Sequence, residues 1–341
     1  MFASMRRKDQ RRWGEVYLRG LMLDGKRKSI EPMAARVEDG DEQCLQQFVS
    51  QSPWDWRPVR RELAVRMVGE LEPVAWAIDD TGFPKLGRES VGVARQYCGA
   101  LGKIGNCQVG VSVSAVSDEA SCPIDWRLFV PQEWDQDAER RERCRLPDEE
   151  RHRPKWELAI EMLDELAGWG LRPSVIVADA GYGEITEFRQ ALSERELSFV
   201  LQVKGATSVL GLDAQPELRA WKGLGKQPVA RYHQTRTSLR ELALAAGEAA
   251  LSDVSWREGS RGELRSRFLA LRVRPANVKL RRAAANAGRE LAVNWMLVEW
   301  PPGAEEPVKY WLADLPPDTS LHELVLLAKV RWRIEHDYRE L

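Results

Sequence analysis

The chain has 341 residues, 30% of them charged, and its acidic and basic residues nearly cancel to a formal net charge of -1. This length exceeds the size at which one hydrophobic core usually keeps growing, so we expect two or three domains. The five cysteines are odd in number and include no Cys-x-x-Cys pair, which argues against a disulfide framework or a zinc site. The start of the chain has no apolar leader and no stretch approaches about 18 apolar residues, so we expect a cytoplasmic protein without a membrane segment.

The first part of the chain is predicted to be helical. Apolar residues recur at helical spacing, as at Trp13, Tyr17 and Leu21, and residues 1–72 are therefore predicted to form a small helical domain. Strands are predicted to follow near 74–80, 91–98, 107–116 and 124–130. The charged stretch 131–153 is predicted to be a surface loop that leads into a helix at 155–169.

Two apolar runs end in acidic residues. The first runs from Val74 to Asp79 and Asp80, and the second from Ser174 to Asp179. Near-continuous apolar runs are typical of strands buried on both faces, where an ionised carboxylate is costly unless a cation or strong donors compensate it. We therefore expect these acids to lie at strand ends and to face a compensating partner.

A third acid lies near the end of the chain. A helical stripe of apolar residues surrounds Glu335, and we predict that this acid points inward; the stripe comprises Leu321, Leu324, Val325, Ala328, Trp332 and Tyr338. Three converging carboxylates suit Mg²⁺ or Mn²⁺, and a two-metal site supports phosphoryl transfer. In the alternative interpretation the strand-end acids are turn formers or helix N-caps, and Arg331, one turn before Glu335, pairs with it.

Five sequence words occur in a defined order along the chain. Together they resemble the bacterial insertion-sequence DDE transposases; the words are Asp80-Thr-Gly-Phe-Pro-Lys, Ser90-Val-Gly-Val-Ala-Arg-Gln-Tyr-Cys-Gly, Gly102-Lys-Ile-Gly-Asn-Cys-Gln-Val-Gly-Val, Asp179-Ala-Gly-Tyr-Gly and Arg331-Trp-Arg-Ile-Glu. The resemblance implies an α/β fold with a ribonuclease-H-like (retroviral-integrase-like) mixed-sheet core. It also implies an N-terminal helical domain and a β-rich domain inserted before the helix that carries the catalytic Glu.

The same resemblance implies a domain plan. Residues 1–72 would be a helical DNA-binding region and residues 73–205 the first part of the catalytic core. Residues 206–312 would be the β-rich insertion domain, and residues 313–341 would return to the core with the helix that carries Glu335.

The resemblance also implies the chemistry. Asp80, Asp179 and Glu335 would bind Mg²⁺ or Mn²⁺, as two ions, to cleave DNA at transposon ends and transfer the strand to target DNA. Successive strand side chains point to opposite faces, so only one of Asp79 and Asp80 readily enters the site; Asp80 is predicted and Asp79 is the alternative. The expected partners are terminal-repeat and target DNA and a second copy of the chain, in the bacterial cytoplasm.

Candidate DNA-binding residues come from basic positions. A basic run in the predicted insertion domain includes Arg265, Arg267, Arg281 and Arg282, and it is predicted to follow a DNA backbone, although a solvated face is the alternative. The resemblance alone assigns DNA binding to Lys103, which lies in a predicted turn, and to Arg331.

The chain also departs from the family pattern. Related transposases carry Tyr-x2-Arg-x3-Glu-x6-Lys around the catalytic Glu; here Ala328 is at the Tyr position, and the Lys position would lie beyond Leu341. We therefore expect a C-terminally shortened chain. Two other functions stay open: a catalytically inactive remnant that binds DNA, and a ribonuclease-H-like nuclease.

Overall fold

A computed structural model describes residues 1–221, 223–224, 227–259 and 262–340, without the side chains of 338–340. The chain divides into two compact units, Met1–Glu70 and Leu71–Leu341. Among the described residues, no helix has the length and apolar character needed to cross a membrane.

The first unit is helical, as the apolar spacing predicted. Its small core contains Val16, Val37 and Leu45, against which Trp13 and Tyr17 pack. The Asp41 side chain accepts a hydrogen bond from the Cys44 amide and so caps the third helix. The helices are α1 (Lys8–Met22), α2 (Ile30–Ala34), α3 (Glu42–Ser50) and α4 (Arg57–Leu71), after a short 3-10 turn at Phe2–Ser4.

The second unit is built on a large mixed sheet, so the α/β class predicted from the sequence is confirmed. The strands that the structure describes are β1 (Ala75–Pro84), β2 (Ala94–Cys98), β3 (Lys103–Val116), β4 (Ser121–Phe129), β5 (Ile176–Ala178), β6 (Phe199–Val203), β7 (Ser208–Leu210), β8 (Thr237–Ser238), β9 (Ser252–Gly259), β10 (Gly262–Pro275), β11 (Asn294–Glu299) and β12 (Lys309–Asp314). Their order is β2-β3-β1-β5-β6-β12-β11-β10-β7-β8, with β4 paired to β3 and β9 paired to β10.

Parallel pairing is found at the centre of this sheet. Strands β1, β5 and β6 run parallel, and the other pairs are antiparallel. Strands from the segment 206–312 continue the same sheet through β12, β11 and β10. The predicted boundaries at residues 72, 205 and 312 remain predictions.

Helices and short 3-10 turns connect the strands of the second unit. The helices are α5 (Gln132–Asp135), α6 (Ala138–Arg143), α7 (Lys155–Gly168), α8 (Ala180–Gly183), α9 (Thr186–Glu194), α10 (Leu239–Ala246), α11 (Val278–Ala287), α12 (Leu321–Lys329) and α13 (Trp332–Glu340), and the 3-10 turns are Gly99–Leu101 and Glu248–Ala250.

One apolar cluster joins the central strands to the last two helices. Alternate residues of β1, Ala75 and Ala77, lie in this cluster, as do further residues of β5, β6, β12, α12 and α13, namely Val177, Val200, Ala313, Leu324, Val325 and Ile334. Fully burying each large apolar side chain contributes about 1.5–3 kcal/mol, so this cluster fixes α12 and α13 against one face of β1 and β5.

The segment 131–153 differs from the predicted surface loop, and that prediction was wrong. It contains α5 and α6, and Trp134 is completely buried. The Trp134 indole donates to the Val93 carbonyl at 2.9 Å, and Arg140 stacks on its ring at 3.8 Å. Arg141 is also buried, donating to two backbone carbonyls. Buried Trp134 and hydrogen-bonded Arg141 therefore hold this charged segment in place.

The region around Glu335 also differs from prediction. The predicted single helix is divided into α12 and α13, with a break at Val330 and Arg331. Because the break changes the helical phase, Ile334 takes the inward position at 1% exposure. The Glu335 side chain is 51% exposed, so the prediction that it points inward was wrong. The predicted stripe residue Tyr338 and the chain end at Leu341 lie outside the described side chains.

Candidate active site

Two neighbouring parallel strands bring Asp79 and Asp179 to corresponding positions. The β1–β5 register pairs Ile78 with Ala178, and each aspartate is the next residue of its strand. Strand β5 ends just before its acid, as predicted. Strand β1 continues to Pro84 because it stays paired with β3, so the prediction that the acids of the first run lie at a strand end was wrong.

Asp79 lies on the face of the sheet that carries α13. Its Oδ2 atom accepts a hydrogen bond from Arg331 Nη1 at 3.2 Å, and Arg331 Nη2 donates to Glu335 Oε1 at 2.9 Å. Arg331 therefore bridges two acids that are 256 positions apart, with its own side chain 23% exposed. The arginine pairing considered as an alternative for Glu335 is present in the structure.

The electrostatic environment of Asp79 opposes its ionisation. Burial raises the pKa of Asp79 to about 6; Arg331 lowers this pKa, and the negative charges of Asp179 and Asp80 raise it. A single guanidinium shared with Glu335 thus only partly offsets the cost of burying the carboxylate. Asp79 is the kind of perturbed, partly buried acid that is common at functional sites.

Asp80 lies on the opposite face of β1, as alternation along a strand requires. Its Oδ2 atom accepts a hydrogen bond from Lys155 Nζ at 2.5 Å, and its Oδ1 atom accepts one from the Tyr182 hydroxyl. Tyr182 is 4% exposed, and burial together with the Asp80 charge raises its pKa well above the usual value, so the hydroxyl remains a donor. Among the described residues, the Asp80 carboxylate therefore bonds to Lys155 and Tyr182 and to no side chain on the face that carries Glu335.

Asp179 begins the turn into α8. Its side chain accepts a hydrogen bond from the Gly181 amide at 2.8 Å, which makes it the N-cap of α8. A Cβ atom on Gly183 would lie 1.9 Å from the Gln202 carbonyl oxygen, so glycine is required there for α8 to lie against β6. The N-cap interpretation is thus realised, and it holds the Asp179 carboxylate at the end of β5, next to Asp79 of β1.

Sequence reasoning missed two residues of this region. Tyr182 lies within the Asp-Ala-Gly-Tyr-Gly word and could have been selected from it. Lys155 is the first residue of α7, far from any of the words, and its contact with Asp80 spans 75 positions. No sequence signal pointed to Lys155.

Carboxylate oxygens are the ligands that Mg²⁺ and Mn²⁺ prefer, so the donor chemistry of Asp79, Asp179 and Glu335 fits such an ion. However, the part of the chain that the structure describes contains no group of three His, Cys, Asp or Glu side chains arranged to hold a metal. The cation between Asp79 and Glu335 is the Arg331 guanidinium.

The six predicted DNA-binding residues fall into different environments. Arg265 pairs with Asp253 at 3.4 Å, and Arg267 pairs with Glu248 at 2.7 Å. Arg331 belongs to the acidic site already described. The other three have no ion pair with any residue that the structure describes: Lys103 at the start of β3, and Arg281 and Arg282 on α11.

Comparisons with known proteins agree with the resemblance found in the sequence. A family model described as DDE superfamily endonuclease matches residues 1–263, a span that includes Asp79, Asp80 and Asp179 but not Glu335. The probable transposase for insertion sequence element IS701 from Microchaete diplosiphon is 31% identical over 189 residues. That match covers 54% of this chain and 47% of the relative, so the chain spans about half the length of the relative.

Among solved structures, the NurA nuclease from Sulfolobus solfataricus aligns with 81% of this chain and 83% of its own, at 9% identity. Its TM-score of 0.30 is too low to support an inference about fold. The family match extends over more than half of the sequence. The chain therefore belongs to the DDE superfamily endonucleases.

Proposed function

We propose that the protein is a DNA transposase that cleaves strands at transposon ends and transfers them to target DNA. The observation that carries this proposal is the position of Asp79 beside Asp179 on adjacent parallel strands, on the face that also carries Glu335. The proposal includes a ribonuclease-H-like core that consists of β1 to β6. The sheet is consistent with such a core, because antiparallel strands meet the parallel strands at β1. A homodimer in the active complex is part of the same proposal.

The proposed acids are Asp79, Asp179 and Glu335, with Asp80 as the alternative to Asp79. A bound divalent ion would stabilise the attacking and leaving oxygens of the phosphoryl transfer. Asp79 would supply a ligand oxygen from within β1, Asp179 one from the end of β5, and Glu335 one from the more exposed α13. Asp79 provides an ionised ligand mainly above its pKa of about 6.

Arg331 has a separate role in this proposal. Its guanidinium contacts both Asp79 and Glu335 and partly offsets their two negative charges. Arg331 would thereby keep two acids near each other without the cost of two unpaired charges. If these acids held a divalent ion, Arg331 would be available to contact a DNA phosphate.

The experiment is cleavage of DNA that carries the terminal repeats of the element, in Mg²⁺, in Mn²⁺ and in chelator. Cleavage should require the metal, prefer the repeats over unrelated DNA, and fall to background in Glu335→Gln. Glu323→Gln is the matched control, because Glu323 is an exposed acid in the first turn of α12. Cleavage of all DNA without preference would instead identify a plain nuclease.

A second function is favoured by one observation. Arg331 stands between Asp79 and Glu335, and no three carboxylates converge among the described residues. A protein that binds DNA without cleaving it would have this property. Specific binding of the terminal repeats with no cleavage in either metal would support this function over the transposase.

A further inference from the structure

A cavity of about 400 Å³ lies beside α11, far along the sheet from the acidic site. One wall is a single face of the helix, on which Arg281, Arg282, Ala285 and Asn286 recur at helical spacing. The other wall is the segment 231–233, which contributes Arg231 and His233. We refer to this space as the α11 cavity.

Packing and hydrogen bonds fix both walls of the α11 cavity. Tyr232 is 5% exposed and packs in a small core with Leu291 and residues of α11. Its hydroxyl accepts a hydrogen bond from the Leu291 amide at 3.0 Å. The backbone of Arg231 exchanges two hydrogen bonds with Glu217, at 2.9 and 3.0 Å. The side chains that line the cavity therefore project from backbone that is already ordered.

The helix itself begins at a defined position. The Asn277 side chain caps α11 by accepting a hydrogen bond from the Leu280 backbone amide at 2.9 Å. The same side chain donates a hydrogen bond through Nδ2 to the Thr186 hydroxyl at 2.6 Å. These contacts fix where the helix starts and hence the direction in which its arginine-bearing face points.

The charges in the α11 cavity are unbalanced. Among the residues that the structure describes, three guanidinium groups line the cavity and no carboxylate does. Arg231, Arg281 and Arg282 form no ion pair with the residues that the structure describes. Basic residues close to them in sequence do have such partners, since Lys279 pairs with Glu187 and Arg274 pairs with Glu290 at 3.0 Å.

This combination defines the chemistry of a ligand. Arginine presents a planar fork of donors that matches phosphate oxygens, and the Asn286 amide and the His233 ring add further polar groups. Three like charges around one cavity repel each other, and a bound anion would relieve that repulsion. The cavity is larger than one phosphate ion requires, so a sugar-phosphate segment fits its chemistry and its size.

We propose that the α11 cavity binds a phosphate group of a DNA backbone. The proposal rests on the proposed function only in taking DNA as the partner; it requires neither the acidic site nor cleavage. In this proposal, Arg231, Arg281 and Arg282 contact DNA and position it. Arg265 and Arg267 instead form ion pairs within the protein.

The test is binding of a labelled DNA duplex of mixed sequence to the full chain in chelator, over a range of salt concentrations. Each lost phosphate contact should reduce the slope of log K against log salt by about 0.9, which corresponds to about eightfold weaker binding at about 0.1 M salt. Arg281→Gln with Arg282→Gln should therefore weaken binding by roughly 60-fold and reduce the slope by about 1.8.

The matched control is Arg265→Gln with Arg267→Gln, which removes the same two charges from residues that already have carboxylate partners. This control should leave the slope unchanged. An equal loss in both double variants would overturn the proposal, because it would show a response to net charge alone. Circular dichroism of each variant separates lost binding from lost folding.

Free phosphate is the other source of the same chemistry. Stabilisation of the protein by inorganic phosphate, abolished in the Arg281→Gln and Arg282→Gln variant without any change in DNA affinity, would identify a small-anion site and refute the DNA assignment. The binding test is run without divalent metal. A negative result in this test is therefore no evidence against cleavage, and an absence of cleavage does not affect the binding test.

Discussion

Replacing Asp79 by asparagine should stabilise the protein at neutral and alkaline pH. The pKa of this carboxyl is raised in the folded state, from 3.8 to about 6, mainly by burial. In an unfolded chain the group ionises freely near its ordinary pKa, so the folded state alone has to bear a buried charge. The resulting penalty is absent below about pH 4, grows as the pH rises toward about 6, and is complete above that value.

The magnitude follows from the size of the shift. At about 1.4 kcal/mol for each pKa unit, a rise from 3.8 to about 6 corresponds to about 3 kcal/mol. This net cost already includes the favourable contact with Arg331, which lowers the pKa. The Asp79 side chain is only 20% exposed, so solvent screening removes little of it.

Urea unfolding followed by tryptophan fluorescence would measure this effect at about pH 4 and about pH 8. The free energy of unfolding of Asp79→Asn should equal that of the parent protein at the lower pH. At the higher pH it should be larger by as much as about 3 kcal/mol. Asp80→Asn, which breaks the contact with Lys155, should lower stability at pH 8 by about 1 kcal/mol. A stability difference for Asp79→Asn that is the same at both pH values would refute the reasoning.

Three further substitutions test the packing around the site by urea unfolding. Tyr182→Phe should lower the free energy of unfolding by about 1.5–3 kcal/mol, because it removes a buried hydrogen bond to the Asp80 carboxylate. When Asp80 has already been replaced by asparagine, Tyr182→Phe should lower this free energy by less. Lys329→Met should cost about 3–5 kcal/mol, since it leaves Glu299, at 9% exposure, charged and unpaired; a loss near zero would contradict the assigned ion pair. Gly183→Ala should cost more than about 3 kcal/mol by forcing α8 away from the β6 backbone, and an unchanged midpoint would show that α8 shifts freely.

Local patterns in the sequence account for much of the fold. The strands near 74–80, 107–116 and 124–130 and the helix at 155–169 correspond to β1, β3, β4 and α7, because unbroken apolar runs and helical stripes record which faces are buried. The helices α5 and α6 were missed, since their single anchoring aromatic, Trp134, finds its partner 41 positions away. Local composition does not record such a contact.

The candidate site was predictable in composition and less so in orientation. Alternation along a strand implied that only one of Asp79 and Asp80 enters the site, but the choice depends on which sheet face receives α13. Asp79 meets Arg331 across 252 positions and Asp80 meets Lys155 across 75. The helix break before Trp332 likewise depends on tertiary packing, so the exposure of Glu335 did not follow from its periodicity.

The most direct test of the proposed site is a comparison of Asp79→Asn and Asp80→Asn in the cleavage of terminal-repeat DNA with Mg²⁺. Both substitutions remove one negative charge from adjacent positions of the same strand, so they form a matched pair. We predict that Asp79→Asn abolishes cleavage while retaining DNA binding, and that Asp80→Asn retains cleavage at a reduced rate. Full cleavage by Asp79→Asn, with none by Asp80→Asn, would contradict the assignment of Asp79 to the metal-binding acids.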